Sequence, residues 1–198
     1  MPTPQGMIDR YRREVNPPRR AMEFREMMVA LVRLFWPHTY VEVGVAGGYT
    51  FNEIAPMVDR AVAVDLRPMP GVIERTNVET FQMPSRLFAL WWTFFDCGPI
   101  DLLFIDANHS ARSVIDDLEG LAPFVREGTG LVCLHDTHPN QVDRYARKTG
   151  YAWNAAWQVR TETRWRGAWE IVTLPGPVSG MSLLRKSRNQ LSWRSCND

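Results

Sequence analysis

The segment that most constrains the fold runs from Ile100 to His138, IDLLFIDANHSARSVIDDLEGLAPFVREGTGLVCLHDTH. Leu102-Leu103-Phe104-Ile105 and Leu131-Val132-Cys133-Leu134 are continuous apolar runs, as expected of strands buried on both faces of a parallel sheet. Between them Val114, Ile115, Leu118 and Leu121 share one face at helical spacing. Asp116, Asp117 and Glu119 are expected on solvated faces. The spacing therefore predicts strand, helix, strand, with a right-handed crossover. In such sheets ligands bind beyond the carboxyl ends of the strands. Asp106, His109, His135, Asp136 and His138 all belong at that edge, and they are the residues with chemistry to offer. Strand alternation places the side chain of His135 opposite that of Asp136, in a structural role.

A second segment, Tyr40–Thr50 (YVEVGVAGGYT), reads as a short strand, a glycine-bearing turn and the start of a helix stopped near Pro56. Glycine lets backbone approach a ligand closely, and the following helix N-terminus favours polar or anionic groups. Thr50 is the expected N-cap. Ala61–Asp65 is the next strand, and it ends in an acid 23 positions after Glu42. A carboxylate there can accept both hydroxyl hydrogens of a ribose.

The remaining elements are expected as follows. A helix over Arg20–Trp36 buries Met27, Met28, Leu31, Val32, Leu34 and Phe35 and ends at Pro37. Val78–Phe81 forms a short edge strand, and Arg86–Phe95 a very apolar helix whose aromatics serve the core or an interface between copies. Val142–Lys148 and Tyr151–Val159 are helical. Glu170–Leu174 and Gly180–Lys186 form a closing antiparallel hairpin around Pro175-Gly176-Pro177. At 198 residues, 45% apolar and 23% charged, the chain suits one globular domain over 20–186, with an N-terminal arm (1–19) and a loose tail (187–198).

Residues 37–139 hold six Lys/Arg against fourteen Asp/Glu, while both flanks are basic. Such flanks either balance the acidic centre or attract an anionic substrate or nucleic acid. Three widely spaced cysteines (Cys97, Cys133, Cys196) give neither a disulfide framework nor zinc spacing. They fit a reduced, cytoplasmic protein. No run approaches membrane-spanning length, and the first residues lack a signal-peptide core.

Three segments, VEVGVAGGYT, FIDANHSARSVIDDL and LVCLHDT, resemble the class I S-adenosylmethionine-dependent methyltransferases. They are most similar to the small-molecule and sugar O-methyltransferases that carry a FIDGxH-type motif and a later HD motif. The closing GMSLLRK is also similar to that family's last strand, so the resemblance spans Glu23 to Lys186. It implies a Rossmann-like, mostly parallel seven-stranded sheet in the order 3-2-1-4-5-7-6, strand 7 antiparallel, with helices on both faces. By the same resemblance Glu42, Gly44, Val45, Ala46, Gly47, Gly48 and Thr50 would surround the methionine part of the cofactor. Asp65 would bind the ribose hydroxyls, Gln82 or Ser85 the adenine amino group, and Leu66, Asp106 and Ala107 would belong to the same cofactor pocket. Asp106 and Asp136 would hold a magnesium or other divalent ion, with His109 as base.

Two positions depart from that pattern. Ala107 stands where relatives often carry glycine, and His135 where they carry a second acid. A histidine there shifts preference towards a transition metal. Simpler roles exist for the same residues: Asp106 capping a loop, His109 capping the next helix or pairing with Asp136, and His38 and His138 without chemistry. Alternatives to metal-assisted O-methylation are a metal-independent transferase with another nucleophile, and a degenerate domain binding protein or nucleic acid. The latter would use the flank of Trp153, Trp157, Trp165 and Trp169 with Arg160, Arg164 and Arg166. No (D/N)PP(Y/W)-like motif of base methyltransferases is present, which argues against nucleic acid. The first turn also lacks the full G-x-G-x-x-G of dinucleotide oxidoreductases.

Overall fold

The computed structural model describes residues 23–138, 151–162, 169–175 and 179–186. The expected arm, the helix Val142–Lys148, much of the closing turn and the tail lie outside them. The described elements are α1 (Phe24–Phe35), β1 (Thr39–Val43), α2 (Tyr49–Ile54), β2 (Arg60–Asp65), β3 (Val78–Gln82), α3 (Ser85–Phe94), β4 (Leu102–Ile105), α4 (Ala111–Leu121), β5 (Leu131–His135), α5 (Ala152–Thr161), β6 (Trp169–Leu174) and β7 (Met181–Lys186). The seven strands form one sheet in the order β3-β2-β1-β4-β5-β7-β6. β1 to β5 pair in parallel, while β7 runs antiparallel to β5 and β6.

Strand alternation sends the apolar runs to both faces. Val41, Val43, Val62, Val64, Leu103, Ile105, Val132 and Leu134 face α3, α4 and α5 through Phe88, Trp92, Val114, Ile115, Leu118, Leu121, Ala155 and Val159. On the other face Tyr40, Ala61, Ala63, Leu102, Phe104 and Cys133 meet Met28 and Val32 of α1 and Phe51 and Ile54 of α2. Helices on both faces explain why these strands carry no polar alternation.

At the amino-terminal edge Asp101 ties β1 to β4. It accepts hydrogen bonds from the backbone amides of His38 (3.1 Å) and Thr39 (2.9 Å) and pairs with Arg126. Burial pushes the Asp101 carboxyl up, but these donors outweigh it and hold the group below its ordinary value.

Three expectations need correction. Thr50 is not the N-cap of α2; that residue is Gly48, at φ 77°, and Thr50 lies buried inside the first turn. The α1 stripe is narrower than expected. Met28 and Val32 are buried and Met27 and Leu31 half-buried, but Leu34 and Phe35 are exposed, Leu34 lying about 200° round the helix from Val32. Asp117 is buried on α4 rather than solvated. Its spacing, i+3 from Val114 and i−4 from Leu121, places it within the apolar stripe.

Leu103 lies at the centre of β4 with no exposed surface. Leu103→Ala should lower unfolding free energy by about 2–5 kcal/mol, read from the denaturant midpoint at unchanged m-value.

Candidate active site

The candidate site forms where strand order reverses, between β1 and β4. Gly44 follows β1 at φ 90°, and a Cβ there would lie 2.3 Å from the Asp106 carbonyl oxygen and 2.4 Å from the Ala107 Cα. Only glycine permits this approach, which brings the first turn against the end of β4. The turn continues through Val45, which is buried, and Ala46, at φ 46°, to Gly47 and Gly48, where the Gly48 amide donates to the Val45 carbonyl (2.9 Å).

Asp65 stands at the end of β2 with each carboxylate oxygen taking one backbone amide. Oδ2 accepts from Ala46 and Oδ1 from Arg67, both at 2.9 Å. The acid thus joins the β1–α2 turn to the loop after β2 and still has lone pairs for a ligand. A cavity of about 720 Å³ opens beside it. Gly44, Ala46, Asp65, Leu66, Met83, Ser85, Asp106, Ala107 and Asp117 are among its lining residues. This volume is within the range of small-molecule and cofactor sites. Gln82 ends β3 with an exposed side chain and is not part of the lining.

Next to the cavity, through Asp106, two acids and two histidines meet. The β4–β5 register pairs Ile105 with Leu134, so Asp106 and His135 come next to each other on one face. His135 Nδ1 is 2.9 Å from Asp106 Oδ1 and 3.3 Å from Asp136 Oδ1. This corrects the expectation that His135 points away from Asp136. Asp136 adopts φ 57°, and that left-handed residue breaks the strand alternation and turns its carboxylate back to the histidine side. The His135 ring is wedged against Phe24, with centroids 4.1 Å apart.

His109 approaches the same acids from the loop after β4. Nδ1 is 2.8 Å from Asp136 Oδ2, and Nε2 is 3.5 Å from Asp106 Oδ1. Ser110, not His109, caps α4 by accepting the Ser113 amide. The two carboxylates raise the His109 pKa to about 10. Burial pushes the Asp106 carboxyl up, but hydrogen bonds with His109 and His135 outweigh it and leave the group below its usual value. Ligand atoms of Asp106, His109 and Asp136 all lie within 4.8 Å of one another. Two carboxylates and one imidazole fit a divalent cation, and the nitrogen donor extends the choice beyond magnesium to manganese and its neighbours.

Glu42 is placed differently from the other candidates. It is buried on β1 and accepts a hydrogen bond from Tyr40 Oη at 2.5 Å, away from the cavity lining. Of the remaining histidines, His38 pairs with Asp59 at the opposite end of the sheet, and His138 is exposed. On the Arg/Trp-rich flank, Trp157 and Arg160 are exposed, whereas Arg164, Trp165 and Arg166 lie outside the described residues. Sequence reasoning missed Asp117 as a wall of the cavity and missed the turn of His135 into the acid pair.

Residues 41–137, which contain the glycine turn, Asp65 and the Asp106–Asp136 pair, match a family model described as a methyltransferase domain. Residues 41–137 are thus a methyltransferase domain, carried on the seven-stranded sheet described above. Solved structures agree with this methyltransferase fold over nearly its whole length. An O-methyltransferase from Bacillus cereus, solved with SAH, is 15% identical with a TM-score of 0.62, over 94% of this chain and 93% of that one. TomG from Streptomyces achromogenes, an O-methyltransferase of tomaymycin synthesis in complex with SAM, is 17% identical with a TM-score of 0.61, over 90% and 87%. MycE, a methyltransferase of mycinamycin biosynthesis in complex with Mg, SAH and mycinamycin VI, is 16% identical with a TM-score of 0.58. In that case the match covers 83% of this chain and 50% of the other. At these identities the likeness bears on the fold alone. No curated protein matches the sequence. Among the described residues, no helix is long and apolar enough to cross a membrane.

Burial raises the Glu42 carboxyl to about 8, against 4.5 ordinarily, although the Tyr40 hydrogen bond opposes the rise. The folded protein therefore holds a proton that the unfolded chain releases. The associated stability is full below pH 4.5 and is lost as pH rises through 8. Glu42→Gln should flatten this dependence and raise Tm by several degrees at pH 8.5 with little change at pH 5, read by thermal melts at both values.

Proposed function

We propose that the protein transfers the methyl group of S-adenosylmethionine to a hydroxyl of a small molecule, a sugar or similar acceptor, with a divalent cation held by Asp106 and Asp136. The observation that carries this reading is the convergence of those two acids and His109 within 4.8 Å, at the edge of the cavity bordered by Asp65 and the glycine turn. Methyl transfer is a direct displacement, so the protein's task is to bring the acceptor oxygen in line with the methyl and to deal with its proton.

The roles divide along the cavity. The backbone of Gly44 to Gly48 and the first turn of α2, with Thr50, would receive the methionine end. Asp65 would take the ribose hydroxyls, and Leu66 and Ala107 would flank the nucleoside. Asp106 and Asp136 would hold the cation, which when bound would lower the pKa of the acceptor hydroxyl and orient it. His135 would keep the Asp106 carboxylate in place, as hydrogen-bonded partners of ligating carboxylates do. His109, which the two carboxylates keep protonated in the cation-free site, is the candidate to supply a further nitrogen ligand or to accept the proton once a bound cation offsets those carboxylates. The bound names of the structural neighbours, SAM, SAH and Mg, support the same assignment. We place the protein in the cytoplasm, free or as a homo-oligomer.

A metal-independent transferase is the second reading, and one observation favours it. His109 already bridges both carboxylates, at 2.8 and 3.5 Å, where a cation would sit. Calorimetric titration with S-adenosylhomocysteine, with and without magnesium or manganese, followed by turnover of hydroxylated acceptors in EDTA, separates the two. Micromolar binding and chelator-sensitive turnover are expected. Asp136→Ala should abolish metal-dependent turnover while preserving cofactor affinity within a fewfold; full activity in that variant and in EDTA would sink the cation role.

For the ribose contact, Asp65→Ala should weaken S-adenosylhomocysteine binding by about tenfold or more, since it deletes charge-assisted hydrogen bonds. Unchanged affinity would refute that role.

A further inference from the structure

At the end of the cavity beyond Asp65 the wall is polar in an unusual way. Asp117 projects from α4 and is only 8% exposed, yet it lines the cavity. Its one hydrogen bond among the described residues comes from Ser85 Oγ, at the first position of α3, and no Lys or Arg among them pairs with it. Burial, only partly opposed by the Ser85 hydrogen bond, raises its carboxyl above the ordinary value. A buried carboxylate served by one hydroxyl is an acceptor short of donors. Ser85 donates to that carboxylate, so its hydroxyl also presents lone pairs rather than a proton to the cavity. This wall therefore asks for a donor.

Arg67, Arg86, Asn108, Ser113 and Asp116 also line the cavity, and none of them donates a hydrogen bond to Asp117. Met83 and Pro84, which follow β3, and Ala107, which follows β4, supply apolar surface to the same cavity. A nucleoside whose ribose is held by Asp65 would extend its base towards Ser85 and Asp117. The geometry points to Asp117, steadied by Ser85, as the acceptor for the exocyclic amino group of the cofactor's adenine. Adenine offers an N–H donor at that position, whereas hypoxanthine offers a carbonyl oxygen that would face two acceptors. The acid here is supplied by α4 rather than by the end of β3, where Gln82 is exposed.

Asp117 also suits a purely structural role, as a carboxylate at the amino end of α3 that pins α3 to α4. That role would not discriminate between bases, which sets the test. The inference rests on the cofactor reading above, so the titration compares S-adenosylhomocysteine with S-inosylhomocysteine on the full chain. The wild type should bind the adenosyl compound at least about tenfold more tightly, the value of a hydrogen bond to a charged group plus relief of the opposed oxygens. In Asp117→Asn, whose amide offers both donor and acceptor, that ratio should fall to near one or invert, with Tm and far-UV spectrum showing a folded protein. Asp117→Ser is read in the same way should the asparagine variant not fold. Equal binding of the two compounds by the wild type overturns the inference alone, as does an undiminished ratio in a folded variant. If neither compound binds, the cofactor reading falls and this inference with it.

Discussion

The parallel pairing of β1 with β4 is the constraint on which the rest depends. It joins two strands whose connections leave in opposite directions, to α2 and β2 on one side and to α4 and β5 on the other. A crevice must open between those connections, and Gly44, Asp65 and Asp106 stand on its rim. Gly44 sets how tight the rim can be, since the backbone of Asp106 and Ala107 fills the volume a side chain would need. Replacing hydrogen by methyl at that one carbon would push apart the two loops that hold Asp65 and Asp106.

Electrostatics follow from this crowding. Asp65, Glu42 and Asp106 lie on one face of adjacent strands, and Asp136 joins them from β5. Each is handled by a different device. Asp65 is satisfied by two backbone amides, Glu42 by holding a proton shared with Tyr40, and Asp106 and Asp136 by imidazoles. A site with so many acids needs positive charge, whether from protonated histidine, from a bound cation or from a sulfonium ligand.

How much of this was legible depended on whether the signal was local. Apolar runs ending in acids gave β2, β4 and β5 nearly to the residue, because strands covered on both sides have little else to be. The glycine turn was legible for the same reason: few sequences put three glycines directly after a buried strand. What escaped were side-chain directions set by a single dihedral or by a neighbour in space. Strand parity sent His135 away from Asp136 because nothing in the sequence announces φ 57° at Asp136. Asp117 carried a charge, so it was assigned to solvent, although its spacing put it among Val114, Leu118 and Leu121. The last turn of α1 was over-buried because Leu34 and Phe35 are apolar, although Leu34 lies on the face opposite Val32.

The order of strands has a further consequence for how the protein assembles. β1 finds its second partner, β4, about sixty residues later in the chain, and β5 waits about fifty for β7. Until β4 arrives, a growing chain carries β1 as an open apolar edge with Tyr40, Val41 and Val43 uncovered. Such edges are templates for mispairing, and long-range parallel closure is slow. The same pairing that creates the crevice thus makes the first sixty residues after β1 the interval in which the nascent chain is most prone to associate wrongly.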